Sequence, residues 1–214
     1  MSVFISFEGV DGSGKSTQIR LLLQHLDAQG VPYVFTREPG GTPIAEQIRR
    51  ILLDPDNRGM SVITEALLFA ASRSEHVART IRPALEAGKV VICDRYVDSS
   101  LVYQGVAGGL PLEFLTQINE MATGALRPHR TIVLDLAPEA ALARRESGET
   151  DRIERKSLAY HQLVREGYLE LARAEPRRVK VVDASRSVDE VQNEIRRLVE
   201  EVLPRRFRGV GAAP

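Results

Sequence analysis

Gly9-Val10-Asp11-Gly12-Ser13-Gly14-Lys15-Ser16 spells GxxxxGK(S/T), a complete phosphate-binding loop, and Thr17 follows it at the start of a helical pattern. On its N-terminal side Val3 to Phe7 (VFISF) is rich in β-branched and aromatic residues and reads as a buried parallel strand. On its C-terminal side, Lys15 to Ala28 carries Ile19, Leu22, Leu23 and Leu26 at helical spacing. Glycine reaches positive φ without strain, so the turn between them folds around an anion. Successive N–H groups and the helix N-terminus then point at a phosphate. Gly9 to Thr17 are therefore expected to cradle a nucleoside triphosphate, with Lys15 on the β and γ oxygens and the Ser16 hydroxyl on a magnesium ion. A plain Gly-rich turn satisfies the same eight positions, but the flanking strand and helix argue against it.

The chain has 214 residues, a length that suits one α/β domain with a sizeable core. Lys plus Arg and Asp plus Glu both number 29, so no basic excess points to nucleic acid. A single cysteine excludes an internal disulfide framework and a Cys-based zinc cluster, and it suits a reducing cytoplasm. No apolar run approaches membrane-spanning length, so a soluble, cytoplasmic protein without a membrane partner is expected.

Strand patterns recur at Tyr33 to Arg37, Val90 to Asp94, Arg130 to Leu136 and Val179 to Asp183, separated by helical patterns. These are Pro43 to Leu53, Thr64 to Glu86, Leu112 to Thr123, Pro138 to Glu146, Ile153 to Ala174 and Val188 to Leu203. Such alternation predicts a three-layer α/β fold of the P-loop NTPase type, a five-stranded parallel sheet flanked by helices. The single domain is expected over 1–204, with a mobile lid at about 144–155 and a flexible tail over 205–214.

Ligands of such sheets collect at the carboxyl ends of the strands, and the polar clusters fall there. Asp94 ends the third strand next to the phosphate loop, the placement of a Walker B carboxylate that holds magnesium directly or through water. Arg95 follows with a planar fork suited to a second phosphate. Thr36-Arg37-Glu38-Pro39-Gly40-Gly41-Thr42 forms a turn after the second strand and feeds a helix carrying Arg49 and Arg50. Phe69 and Arg73 lie four apart on one helix face; they either address one planar ligand or make a core Phe beside a surface Arg. Between Arg144 and Arg155 four arginines surround Gly148, either a solvated charged run or a lid that brings positive charge over a transferring phosphoryl group. The four histidines have no ligand-like partners, and Cys93 reads as a small buried hydrophobe.

EGVDGSGKST near the start, TREPGGT, DRYVDSSLVYQG and the DRIE of the arginine segment together resemble the thymidylate kinases of the nucleoside monophosphate kinase superfamily. The motifs follow the family's order from Glu8 to Glu154. The resemblance implies γ-phosphoryl transfer from MgATP to dTMP, giving ADP and dTDP on the way to dTTP. It implies that Asp11 holds the sugar 3′-hydroxyl and that Arg49 and Arg95 clamp the dTMP phosphate. Phe69 would stack on thymine, Arg73 would bond a thymine carbonyl, and Ser100 and Gln104 would complete the base contacts. Tyr103 would crowd the sugar 2′ position, and Glu38 and Ser99 belong to the same substrate set. The stretch Asp183 to Arg186 is similar to the family's adenine-side loop, and Thr64 to Glu86 would offer a homodimer face.

Some family members carry a basic residue where this chain has Gly12, so the resemblance is to the bacterial type whose lid supplies the catalytic arginine. The lid is a residue shorter than in enterobacterial members, with Ser147 where an arginine stands, which leaves Arg144, Arg145 and Arg152 as candidates. A kinase for another nucleotide or nucleoside of the same fold is the nearest rival. A GTPase-type switch lacks support, because no Asn-Lys-x-Asp motif is present.

Overall fold

Five strands, β1 (Val3–Glu8), β2 (Tyr33–Arg37), β3 (Val90–Asp94), β4 (Arg130–Asp135) and β5 (Val179–Asp183), form one sheet in the order β2-β3-β1-β4-β5. The computed structural model describes residues 2–144, 151–204 and 207, and every pairing in this sheet is parallel. The expected three-layer α/β architecture is therefore present. β1 is central, as a continuously buried apolar strand must be. Its register sets Phe7 opposite Asp94 on β3, and β2 sets Arg37 opposite Asp94 as well, so three strand ends converge beside the phosphate loop.

Alternation along the strands sends side chains to two cores. Val3, Ile5 and Phe7 join Val90 and Ile92 in the larger core beneath α1 (Lys15–Ala28), which supplies Ile19, Leu22 and Leu26. Phe4, Val91 and Cys93 face the other way into a smaller core. After α2 (Pro43–Leu53) and α3 (Val62–His76), a π-helical turn at Val77–Ile81 and α4 (Arg82–Glu86) supply that smaller core with Val77, Ile81 and Ala84. Next come α5 (Val97–Ser100), continued by a second π-helical turn at Leu101–Val106, α6 (Leu112–Thr123) and α7 (Pro138–Ala143). Helices α8 (Leu158–Ala174) and α9 (Val188–Glu200) close the larger core with Val164, Tyr168, Val191 and Ile195. Side-chain caps start several of them: Thr42 accepts from the Ala45 N–H, Ser61 from Thr64, Ser157 from Tyr160, and Ser187 forms a capping box with Glu190.

Two expected helices are divided. The pattern over Thr64 to Glu86 is a regular helix only to His76, because Pro83 has no N–H to give and its ring would press on the carbonyl of Arg79; the widened turn before it makes room. The helix expected from Ile153 starts at Leu158 instead. The Asp151 carboxylate accepts from the Ile153 and Glu154 N–H groups at 2.8 and 2.9 Å and closes a separate turn there. Residues 145–150 of the expected lid, and 205, 206 and 208–214 of the expected tail, lie outside the described residues. Phe207 packs, partly buried, against the larger core. No helix among the described residues is long and apolar enough to cross a membrane.

Candidate active site

The loop from Gly9 to Gly14 joins β1 to α1 and floors a cleft of about 990 Å³. Gly12 and Gly14 take φ of 86° and 93°, and Asp11 to Gln18, the loop and the first turn of α1, line the cleft, with Ser16 and Thr17 exposed. Lys15 is buried, and its ammonium donates to the carbonyls of Gly9 at 3.0 Å and Val10 at 3.2 Å, with Asp11 Oδ1 at 3.8 Å. Burial and the nearby Arg95 lower the Lys15 pKa, against the pull of Asp11, Asp94 and Glu8. An ammonium held on carbonyls at the floor of a glycine-bearing loop fits a polyphosphate that would take over those contacts.

At the end of β3, Arg95 adopts φ 69°, a left-handed conformation uncommon outside glycine, and its own N–H bonds the Phe7 carbonyl at 2.9 Å. Its Nη2 reaches Asp11 Oδ1 at 2.6 Å, and its guanidinium lies 5.0 Å from the centre of the Tyr103 ring. Nη1 bonds Ser99 at 3.4 Å and the Tyr168 hydroxyl at 3.3 Å. Beneath this group sits Glu8, fully buried, accepting from the Tyr96 N–H at 2.8 Å, Ser99 at 2.5 Å and Tyr168 at 2.9 Å. Burial, reinforced by the Asp98 carboxylate, raises the Glu8 pKa from 4.5 to about 7. Asp94 lines the cleft, yet its buried Oδ1 has no hydrogen-bond partner among the described residues. An orphaned carboxylate oxygen on a residue that shares the cleft with Ser16 suits a hard, oxygen-seeking cation such as magnesium.

The opposite wall is built by β2, α2, α3 and the turn after α5. Arg49 donates to the Pro39 carbonyl at 2.8 Å and shares the cleft with Arg37. Burial and that second guanidinium lower the Arg49 pKa, so an anion here relieves the repulsion between them. Phe69 is partly exposed in the cleft, whereas Arg73 is only 2% exposed, which excludes the reading of a surface arginine. Arg73 bonds Glu38 at 2.7 Å, Ser100 at 2.9 Å, the Tyr96 carbonyl at 3.2 Å and the Asn119 side chain. Glu38 is in turn held by His76 at 3.0 Å. Tyr103 and Gln104 complete this wall.

The lid arginines separate. Arg144 lines the cleft and donates to the Ala184 carbonyl at 2.9 Å, beside Arg186 on the loop after β5. Arg152 does not line it: its guanidinium pairs with Glu65 at 2.7 Å and bonds the Leu52 carbonyl at 2.9 Å. Arg145 falls outside the described residues. Gly12 is closely covered, since a Cβ there would meet the Ala141 carbonyl of α7. Sequence reasoning missed Arg37, Glu8, Glu65 and Tyr168. Only Arg37 and Glu8 carried a signal, as charged residues at the ends of strands; the other two are helix positions whose partners come from remote segments.

Comparison with known proteins places this cleft in a family. The family model for thymidylate kinase matches residues 7–195. The chain is 88% identical over 214 residues, all of both chains, to a thymidylate kinase of Symbiobacterium thermophilum. It is 52% identical over 202 residues to one of Syntrophotalea carbinolica, covering 91% of this chain and 94% of that one. The crystal structure of thymidylate kinase from Ehrlichia chaffeensis superposes with a TM-score of 0.75 at 32% identity, covering 92% of this chain and 98% of that one.

Proposed function

The chain belongs to the thymidylate kinase family, and on that premise we propose how its residues divide the transfer between them. The enzyme phosphorylates dTMP to dTDP, a step in dTTP synthesis. One observation carries the assignment of roles: the Arg95 guanidinium bridges to Asp11 of the phosphate loop at 2.6 Å, so a second phosphate-binding fork stands within the same cleft as the first.

ATP occupies the loop from Gly9 to Thr17, with its adenine toward Ala184 and Arg186. Ser16 and Asp94 would hold Mg²⁺, which would supply screening of the phosphate charges. Arg49 and Arg95 grip the dTMP phosphate and aim one of its oxygens in line at the γ-phosphorus. That oxygen forms the new P–O bond as the bond to the β-phosphate oxygen breaks and ADP leaves. No general base is needed, because the attacking oxygen is already anionic at neutral pH. Lys15 follows the charge that develops on the transferring group, and water is kept away by the lid.

On the acceptor side Asp11 takes the sugar 3′-hydroxyl, Tyr103 crowds the 2′ position, and Phe69, Arg73, Ser100 and Gln104 read the base. Glu38 and Ser99 act indirectly, through Arg73 and Arg95. With Arg152 engaged by Glu65, Arg144 and Arg145 are the arginines that close over the transferring phosphoryl group. Ile44, Ile51, Ile63, Leu67 and Met121, exposed on α2, α3 and α6, support a homodimer. The single, buried cysteine suits a cytoplasmic setting.

Initial rates of ADP formation with dTMP, dUMP, UMP, AMP and thymidine test this reading. dTMP is expected to give the highest kcat/KM. Equal rates without any acceptor would leave only an ATPase or a switch.

A further inference from the structure

We propose that Glu65, which does not line the cleft, governs base selectivity by fixing which end of the Gln104 amide faces the base. The proposal rests on the assignment of a thymine nucleotide to this cleft and names a residue that such an assignment leaves without a task.

Glu65 lies on α3 one helical turn before Phe69 and two before Arg73, and it is 1% exposed. Its Oε2 pairs with Arg152 at 2.7 Å, and its Oε1 lies 3.7 Å from the Lys156 ammonium. A carboxylate facing two cations accepts hydrogen bonds and donates none. Gln104 meets this carboxylate at 2.8 Å and must present its NH₂ end to it. The two ends of a glutamine amide have nearly the same shape, so only such a partner fixes its orientation. Glu65 thereby turns the Gln104 carbonyl oxygen into the remaining polar end. That oxygen takes no protein partner among the described residues, and Gln104, itself 2% exposed, lines the cleft.

Arg73 provides the complementary half. Of its five N–H donors four are used by Glu38, Ser100, Asn119 and the Tyr96 carbonyl, which among the described residues leaves one on Nη2. The wall thus presents a donor from Arg73 and an acceptor from Gln104. Thymine attached to its sugar has a single ring N–H, at N3, next to the carbonyl at C4, and it matches both. Cytosine carries a bare N3 and an amino group at C4, and it is inverted at both. A buried acceptor set against a ring lone pair is costly, so the fixed amide rejects cytosine more strongly than a rotating one does.

The test is the ratio of kcat/KM for dTMP to that for dCMP. In Glu65→Gln the neighbour either donates or accepts, the Gln104 amide is free to turn, and the ratio is expected to fall about tenfold. The mismatch of the cytosine amino group with Arg73 is present in both enzymes and any loosening of Arg152 acts on both substrates, so neither changes the comparison of ratios. Lys156→Met, which leaves the carboxylate in place, keeps the ratio. In a Gln104→Met background, adding Glu65→Gln moves the ratio no further. An unchanged ratio in a folded Glu65→Gln enzyme that still turns over dTMP overturns the proposal, as does an equal shift in the Gln104→Met background. Should Glu65→Gln not fold, the wild-type protein with dTMP labelled with ¹⁵N at N3 decides by NMR. A bound imino proton protected from exchange and close to the Gln104 side chain is expected, and exchange as rapid as in free dTMP overturns it. A wild-type enzyme active on dCMP but not dTMP overturns the functional assignment itself; one active on dTMP whose ratio ignores Glu65 overturns this inference alone.

Discussion

The backbone of Ala141 rests directly on Gly12: a Cβ added at position 12 would lie 2.2 Å from the Ala141 carbonyl oxygen. The glycine is thus more than the absence of a basic side chain in the phosphate loop. It is the seat on which the last turn of α7 sits, immediately before the arginine-bearing segment.

Gly12→Ala combines that clash with a φ of 86° and is expected to lose about 1–3 kcal/mol of stability, together with much of kcat. Gly14→Ala has a similar φ of 93° but meets nothing within 4 Å, so it shows the backbone strain alone. Thermal unfolding and steady-state rates on the two variants check the difference. Equal losses would mean that the contact with α7 is unimportant.

Lys15→Ala removes a cation that is now held on the carbonyls of Gly9 and Val10 and that serves the transferring phosphoryl group during reaction. Turnover is expected to fall by at least ~10²-fold, the range for groups that stabilise developing charge. Near-normal kcat in the purified variant would contradict the role.

Asp94→Asn leaves the local hydrogen bonding almost unchanged, since among the described residues Oδ1 has no partner to lose. The expected effect is therefore on the ion: half-maximal activity should require roughly tenfold more Mg²⁺, a size typical of altered metal sites, while the melting temperature stays close to that of the wild type. A Mg²⁺ titration superimposable on the wild type would exclude Asp94 from the metal site.

Glu8 binds its proton more tightly in the folded protein than in the unfolded chain, because burial, with Asp98 adding to it, raises its pKa from 4.5 to about 7. The stabilisation from this group is fully present below the unfolded value and is lost as pH rises through 7, and it amounts to on the order of 3 kcal/mol at most. Between roughly pH 5 and 8 the wild type should therefore lose stability relative to Glu8→Gln, which has no proton to release. Denaturant unfolding of both proteins across that range supplies the comparison; parallel curves would place an ionised Glu8 in the fold throughout.

Local patterns carried far. The phosphate loop, the five strand patterns and Asp94 at a strand end were legible because each rests on neighbours in the chain: alternation, helical spacing, glycine where φ turns positive. The division of the helix at His76 was less legible, since the hydrophobic stripe runs on through Pro83 and only the backbone shows the widened turn. The start of α8 was hidden in the same way by the Asp151 turn.

By itself, the sequence determined that a triphosphate loop opens a parallel α/β sheet and that arginines and carboxylates stand at the ends of its strands, because these follow from spacing within short segments. Only the tertiary structure decided what those side chains face. Arg95 reaches Asp11 across 84 positions of chain, Arg152 turns to Glu65 rather than to the phosphate loop, and Ala141 covers Gly12. The physical reason is that hydrogen bonds and close contacts depend on how distant strands and helices pack together, and a local spacing pattern carries no record of that packing.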